Sequence, residues 1–384
     1  GSVSNMGKYL NLGNAGFESI RKGSYVDKTE MLSFINSTLG TTDKLTCVSR
    51  PRRFGKSFAA QMLCAYYDKS CDSRKLFEGL KIAEDASFGK YLNKYNVIYL
   101  DITLFLSMAS DIKNIVKDIE AAVVEELQHT FPGARKDSSL PEMLFNTVEN
   151  GSGKFIMIID EWDALFREAK DDTRLQREYI DLLRSLFKSS WTDIIFEAAY
   201  MTGILPIKRY GTQSAVSDFR EYTMLSPGRL VQYIGFTEQE VRELCEQYDM
   251  DFNEMKYWYD GYSFRRLRSV YSPNSVMEAI KRDEFGSYWT RTETYESLRI
   301  YIDLDEDGLR ESIIRMIAGE QVRVDVGTFQ NDITNIQKKD DVLTLLIHLG
   351  YLAYDSEKET AYIPNEEVRK EFLRAVSSSR HKEA

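Results

Sequence analysis

Short runs of β-branched and aromatic residues, separated by stretches with helical spacing, divide the first 230 residues of the chain. The runs are Leu45 to Ser49, Val97 to Ile102, Phe155 to Asp160, Ile194 to Thr202 and Tyr222 to Leu225. Strands alternating with helices predict an α/β fold with a parallel sheet covered on both faces. Between the first two runs, Phe58, Met62, Leu63 and Tyr66 recur at near-helical spacing. A second helix places Leu175, Tyr179, Leu182, Leu183, Leu186 and Phe187 on one face, with Arg174, Arg177, Asp181, Arg184 and Lys188 on the other. Both read as packing elements of the sheet.

After about residue 230 the pattern turns to helices with one late hairpin. Thr237-Glu-Gln-Glu240 is a capping box opening a helix that carries Val241, Leu244 and Cys245. The tail from Asp341 predicts a helix, then strands at Tyr351 to Asp355 and Thr360 to Pro364, then a final helix from Asn365. Helix, hairpin and helix in that order suggest a winged-helix-like segment. The expected division is a core over 8–230, a helical lid over 231–335 and the winged-helix-like segment over 336–384.

Composition changes this picture only by exclusion. The net charge of −10 argues against a dedicated nucleic-acid coat, although clustered Lys and Arg could still form a local patch. No window approaches the roughly 18 consecutive apolar residues of a membrane span, and no basic-then-apolar leader is visible. Cys47, Cys64, Cys71 and Cys245 lack C-x-x-C spacing, and Cys47 and Cys64 sit in apolar surroundings. Reduced core thiols and a cytoplasmic location follow. The three histidines, His129, His348 and His381, are far apart, which argues against a His-based metal site or a Ser-His-Asp triad.

The chemistry begins at Leu45-Thr-Cys-Val-Ser-Arg-Pro-Arg-Arg-Phe-Gly-Lys-Ser57. A strand leads into a loop ending Gly-Lys-Ser and then into a helix, which is how a chain holds a nucleoside triphosphate. Backbone N–H groups of Pro51-Arg52-Arg53-Phe54-Gly55-Lys56-Ser57, proline excepted, would cradle phosphate. Lys56 would reach the β/γ oxygens and the Ser57 hydroxyl would ligate Mg²⁺. The pattern G-x-x-x-x-G-K-[ST] asks for Gly at position 50, where this chain has Arg50 followed by Pro51. Arg50, Arg52 and Arg53 offer three guanidiniums near a triphosphate, of which at least one is expected to face phosphate or a partner.

The other half of such a machine is Phe155-Ile-Met-Ile-Ile-Asp160-Glu161, an apolar strand ending in two acids. Asp160 would hold Mg²⁺ through water, and Glu161 would orient or deprotonate the attacking water. An apolar strand ending in solvated acids is the plain alternative, but the Gly-Lys-Ser loop upstream favours the catalytic pair. The following run ends at Thr202, whose hydroxyl would sense the γ-phosphate if this strand lies between the two motif strands.

Other features read as structural. Arg220 and Arg229 are candidates for a charge-stabilising arginine but fit packing roles better. Asp303-Leu-Asp305-Glu-Asp307-Gly308 begins like a calcium loop, yet Ile314 stands where the bidentate Glu belongs, so an acidic helix-capping turn is expected. Tyr257-Trp-Tyr-Asp-Gly-Tyr262 suits interdomain packing with Gly261 at a turn, and Arg265-Arg-Leu-Arg268 is the best local basic patch.

Together these pieces resemble the AAA-ATPase-like family, a bacterial group of P-loop proteins related to the archaeal and STAND ATPases. The resemblance rests on Tyr25-Val-Asp-Lys-Thr29, Arg50-Pro-Arg-Arg-Phe-Gly-Lys-Ser57, Ile158-Ile-Asp-Glu161 with Asp163 behind it, Met201-Thr-Gly203, Trp258-Tyr-Asp-Gly-Tyr262, Tyr288-Trp289 and Ile363-Pro-Asn-Glu-Glu367. It spans about residues 8 to 375. It implies an additional-strand P-loop core with strand order 5-1-4-3-2, a helical lid, a winged-helix-like segment and ATP with Mg²⁺ as ligands. It also accommodates Arg50, because the family tolerates loss of the first Gly, and it places Asp27 near the base and ribose edge of the nucleotide. Many members continue into a nuclease-like domain of the PD-(D/E)XK type. Only about twenty residues follow Pro364 here, without the required strand, so no nuclease activity is expected of this chain.

The resulting expectation is a slow, Mg²⁺-dependent ATPase that acts as a conformational switch, with hydrolysis moving the 230–375 region against the core and a protein as partner. A hydrolysis-deficient scaffold is one alternative. A nucleic-acid regulator using the tail is another, opposed by Glu366, Glu367 and Glu371 in the last helix.

Overall fold

The structure, a computed structural model, describes residues 7–54, 58–207, 218–289, 296–304, 308–329 and 338–378. The chain divides into two compact units. The first comprises Gly1–Val48, Ser57–Gly203 and Thr212–Glu221, and the second Ser49–Lys56, Ile204–Gly211 and Tyr222–Ala384.

The first unit is built on a five-stranded sheet of β1 (Leu45–Ser49), β2 (Asn96–Asp101), β3 (Phe155–Asp160), β4 (Phe196–Gly203) and β5 (Arg220–Tyr222). The order across the sheet is β2-β3-β4-β1-β5, which is 5-1-4-3-2 read from the other edge. β2 pairs parallel with β3, and β3 parallel with β4. All of β1, and all of β3 except Asp160, are buried, so both faces of these strands are covered and continuous apolar runs replace an alternating pattern. The edge at β2 is closed by the N-terminal segment, where Leu10 bridges Ile98 and Asn11 Oδ1 accepts the Val97 N–H at 2.8 Å.

The expected bounds of β1 and β3 hold residue for residue, and β2 is shifted by one. Two expected strands are revised. Thr192–Ile195 makes a helical turn before β4, with the Thr192 hydroxyl donating to Leu186 O at 3.0 Å, so the strand begins at Phe196. β5 ends at Tyr222 because Thr223 Oγ1 accepts the N–H groups of Leu225 and Ser226, both at 3.2 Å, folding 223–226 into a turn before Pro227. The amphipathic helix Thr173–Phe187 buries all six of the apolar residues that its spacing predicts.

The second unit holds two three-stranded sheets. One is β6 (Phe236–Thr237), β7 (Tyr262–Phe264) and β8 (Leu267–Tyr271) in the order β6-β8-β7. The capping box forms as expected: Glu240 N donates to Thr237 Oγ1 at 3.2 Å and Thr237 N to Glu240 Oε1 at 2.9 Å, opening the helix Glu238–Tyr248. The other sheet is β9 (Val322–Arg323), β10 (Ala353–Asp355) and β11 (Thr360–Tyr362) in the order β10-β11-β9. The helix Lys339–His348, the β10–β11 hairpin and the helix Glu366–Ser377 come in the order read from the sequence, and β9 adds a strand the pattern did not signal.

The aromatic run 257–262 packs within this unit. Tyr259 and Tyr262 are fully buried and donate to Gly286 O and Gly350 O at 2.8 and 2.7 Å. Gly261 has φ +104, and a Cβ there would lie 1.9 Å from Pro364 O, so only glycine fits. Arg268 of the basic run pairs with Glu357 at 3.0 Å. Asp305 and Asp307 of the calcium-like turn lie outside the described residues.

Candidate active site

The end of β3 carries the acids. Because β2, β3 and β4 run side by side, alternating side chains bring Tyr99 and Thr202 to the flanks of Asp160. The Thr202 hydroxyl donates to Asp160 Oδ1 at 2.5 Å, and the Tyr99 hydroxyl donates to Oδ2 at 3.1 Å. Each oxygen of Asp160 therefore accepts a hydroxyl hydrogen bond, and the carboxylate is fixed from both neighbouring strands. Burial first, and the Asp160 charge second, push the Tyr99 phenol far above its usual range, so it stays protonated and donates.

The chain then turns sharply. Glu161 has φ +52, a left-handed conformation rarely adopted by a residue with a side chain. Thr202 holds this turn by two further contacts: its Oγ1 accepts the Glu161 N–H at 3.2 Å, and its carbonyl accepts the Trp162 N–H at 2.9 Å. Trp162 is fully buried, and the Tyr179 hydroxyl donates to its carbonyl at 2.6 Å. Burial of so large a side chain is worth roughly 2–3 kcal/mol, enough to offset a left-handed residue. Gly203 leaves room for it, since a Cβ there would come within 2.7 Å of the indole nitrogen.

Beyond the turn, Arg167 on the helix Ala164–Glu168 lies 3.4 Å from Glu161 Oε2 and 3.5 Å from Asp163 Oδ1. It is mostly buried, as is Asp163, so the pair is less screened than a surface ion pair. Glu161 thus has a basic partner on its own side of the turn. Sequence reasoning named Asp160, Glu161 and Thr202 but missed Tyr99 and Arg167. Tyr99 carries no motif and reaches Asp160 only through strand register, and Arg167 looks like any helical surface arginine.

Hydroxyl-clamped carboxylates at a strand end are a hard oxygen donor set of the kind Mg²⁺ accepts through water. Among the described residues no group of three or more His, Cys, Asp or Glu side chains forms a complete cation cage. Asp160 is suited to sharing a cation with phosphate and solvent oxygens rather than enclosing one.

Of the phosphate loop, Gly55, Lys56 and Ser57 lie outside the described residues. The preceding residues fold into the second unit. Arg50 Nη1 donates to Tyr233 O at 3.4 Å, and Ser49 Oγ to Leu205 O at 3.3 Å. Arg52–Phe54 form a 3₁₀ turn closed by Phe54 N to Pro51 O at 3.0 Å. Pro51 is buried against Gly350, where an added Cβ would lie 2.8 Å from the proline ring. Phe54 packs edge-on against Tyr262, with ring centroids 4.8 Å apart. Arg53 is buried, and only Arg52 of the three arginines is exposed.

Of the remaining candidates, Asp27 and Arg220 have partners of their own. Asp27 Oδ1 accepts the Thr29 N–H and hydroxyl at 2.9 and 2.6 Å, while Oδ2 accepts the Lys81 N–H at 2.9 Å. Arg220 pairs with Asp43 at 2.8 Å, and Arg229 is an exposed residue of a 3₁₀ turn. All four cysteines are free, with Cys47, Cys64 and Cys245 buried. Burial, reinforced by Asp68 and Asp160, holds the Cys64 thiol far above its ordinary range, so it is inert. No helix among the described residues is long and apolar enough to cross a membrane.

Comparison with known proteins places these features. A search of curated proteins found no match. Among solved structures, the chain is similar to the Aeropyrum pernix ORC2 protein in ADPNP–ADP complexes, at 12% identity, covering 96% of this chain and 94% of that one with a TM-score of 0.42. It is also similar to Cdc6p from Pyrobaculum aerophilum, at 12% identity, covering 94% of this chain and 97% of that one with a TM-score of 0.34. The family model described as predicted AAA-ATPase matches residues 11–212, a stretch holding the phosphate loop, Asp160-Glu161 and Thr202. The chain is a P-loop protein of the nucleotide-binding kind and belongs to the AAA-ATPase-like family.

Proposed function

We propose that the chain binds ATP with Mg²⁺, hydrolyses it slowly and acts as a nucleotide-driven conformational switch. The observation that carries this reading is the fixed Asp160 carboxylate between Tyr99 and Thr202, with Glu161 presented by the left-handed turn that follows. Bound Mg²⁺ would neutralise charge on the β- and γ-phosphates. Asp160 would hold its water shell, with Ser57 as the second protein ligand, and Lys56 would contact the β/γ oxygens. Glu161 would position and deprotonate the attacking water. Thr202, whose hydroxyl donates a hydrogen bond to Asp160, would act on the γ-phosphate through the two acids it orders. Arg52 is the exposed arginine of the loop.

The proposed division into a core over 8–230, a lid over 231–335 and a winged-helix-like segment over 336–384 goes with this reading, as do a protein partner and a cytoplasmic setting. Purified protein should bind Mg²⁺-ATP and carry bound adenine nucleotide detectable by mass spectrometry, and Lys56→Ala should abolish binding. Equal binding by the variant would sink the reading.

A hydrolysis-deficient scaffold is favoured by one observation, the Arg167 contact at 3.4 Å that engages the Glu161 carboxylate in an ion pair. Glu161→Gln separates the two: an active enzyme accumulates trapped ATP in the variant, whereas a scaffold shows no change.

A further inference from the structure

The loop residue Arg53 is buried inside the second unit, where its functional pattern would put a phosphate-facing cation. One guanidinium nitrogen donates to Tyr288 O at 2.5 Å, and the guanidinium carbon lies 5.7 Å from the centroid of the Trp289 ring. The Arg53 backbone is held as well, since the Ser272 hydroxyl donates to its carbonyl at 3.3 Å.

The peptide that receives Arg53 is fixed from the other side by a carboxylate. Tyr288 N donates to Glu367 Oε2 at 2.9 Å, and Trp289 Nε1 donates to Oε1 at 3.0 Å. Ser275 Oγ lies 2.8 Å from both oxygens. Glu367 is fully buried on the helix Glu366–Ser377, one turn before Glu371, which accepts from Ser287 Oγ at 2.8 Å. Residues 287–289 are thus stitched to the last helix by two acids and to the phosphate loop by one arginine. A fully buried carboxylate persists only with such a donor set and an opposite charge nearby, and Arg53 is the cation that acts on it.

We infer that Arg53 is a positioning residue for the nucleotide site, tying the phosphate loop through Tyr288 and Trp289 to the buried Glu367, so that loop geometry and the packing of the last helix are set together. The inference rests on the nucleotide-binding reading and deepens it.

The test is a double-mutant cycle on nucleotide affinity in the full chain, with Arg53→Met, Glu367→Gln and the pair, titrated with Mg²⁺-ATP and Mg²⁺-ADP. Each single change is expected to weaken both nucleotides alike, roughly tenfold, and the pair to be no weaker than the worse single. Arg53→Lys, which keeps the charge, should restore part of the loss. Adding ATP to the wild type should also change an emission component that Trp289→Phe removes. A loss confined to ATP, with Glu367→Gln binding as wild type, would mean that Arg53 touches the γ-phosphate and would overturn the inference. Additive losses would overturn it too.

Should Arg53→Met fail to fold, Ser275→Ala probes the same link from the far side by removing the hydroxyl on Glu367. Weakened binding of both nucleotides supports the inference, and unchanged affinity overturns it. Absence of binding by the wild type would overturn the nucleotide-binding reading and this inference together, whereas binding by the wild type with additive or unaffected variants overturns the inference alone.

Discussion

Thr202 Oγ1 lies 2.5 Å from Asp160 Oδ1 and at the same time accepts the N–H of Glu161 at 3.2 Å. One hydroxyl thereby fixes the side chain of the first acid and the backbone of the second. Position 202 thus orders both members of the acid pair.

Thr202→Val should therefore slow hydrolysis more than it weakens ATP binding. It removes the donor to Asp160 and the acceptor of the Glu161 N–H, a loss of about 1–3 kcal/mol in stability. Thr202→Ser should retain most of both. Turnover under saturating ATP, with thermal unfolding alongside, checks this; a valine variant with wild-type turnover would contradict it.

Tyr99→Phe leaves the ring and removes a hydroxyl that donates to Asp160. The expected outcome is a smaller stability loss, about 1 kcal/mol, with a raised Mg²⁺ requirement for turnover. An Mg²⁺ titration at fixed ATP reads the second effect. An unchanged Mg²⁺ midpoint would show that the Tyr99 bond does not matter for the cation.

Gly203→Ala places a methyl 2.7 Å from Trp162 Nε1 and 2.9 Å from Asp163 Oδ1, both on the turn that presents Glu161. The backbone there must shift, at about 1–3 kcal/mol, and hydrolysis should fall with it. Chemical denaturation gives the stability change. A variant as stable as the wild type would mean that the turn relaxes freely.

Glu367 supplies a pH signature independent of nucleotide. Burial raises its pKa from 4.5 to about 7, against the opposing pull of Tyr288 N–H, Ser275, Arg53 and Trp289. Tyr259, Tyr262 and Tyr288 also face it and remain neutral across this range. The folded chain then binds more protons than the unfolded one between pH 4.5 and about 7. Its contribution to stability is present in full below the unfolded pKa and is lost as pH rises through the folded one. The expected loss is about 3 kcal/mol, and it should vanish in Glu367→Gln. Unfolding midpoints from pH 5 to 8 test it, and identical pH slopes in the two proteins would contradict it.

Much of the fold was legible in the chain because its signals are local. The apolar run 155–159 is long enough and bounded sharply enough to make β3, and Asp160-Glu161 at its end announces the acids without any tertiary knowledge. The Thr237 capping box and the stripe from Leu175 to Phe187 are likewise written within a few turns of chain. The hairpin of β10 and β11 was visible for the same reason, while the pairing of β9 with β11 joins residues about 37 positions apart and left no local mark.

What the sequence determined by itself is the strand order of chemistry: a phosphate loop after one buried strand, an acid pair after another, and a threonine at the end of a third. What only the tertiary structure decided is who holds whom. Strand register sets Tyr99 and Thr202 on opposite sides of Asp160 across separations of 61 and 42 residues. The packing of the second unit turns Arg53 toward Tyr288, 235 residues away. Propensity and periodicity act over a few neighbours, whereas a hydroxyl, a guanidinium or a buried carboxylate finds its partner only when folding brings together groups far apart in the chain and burial favours their pairing.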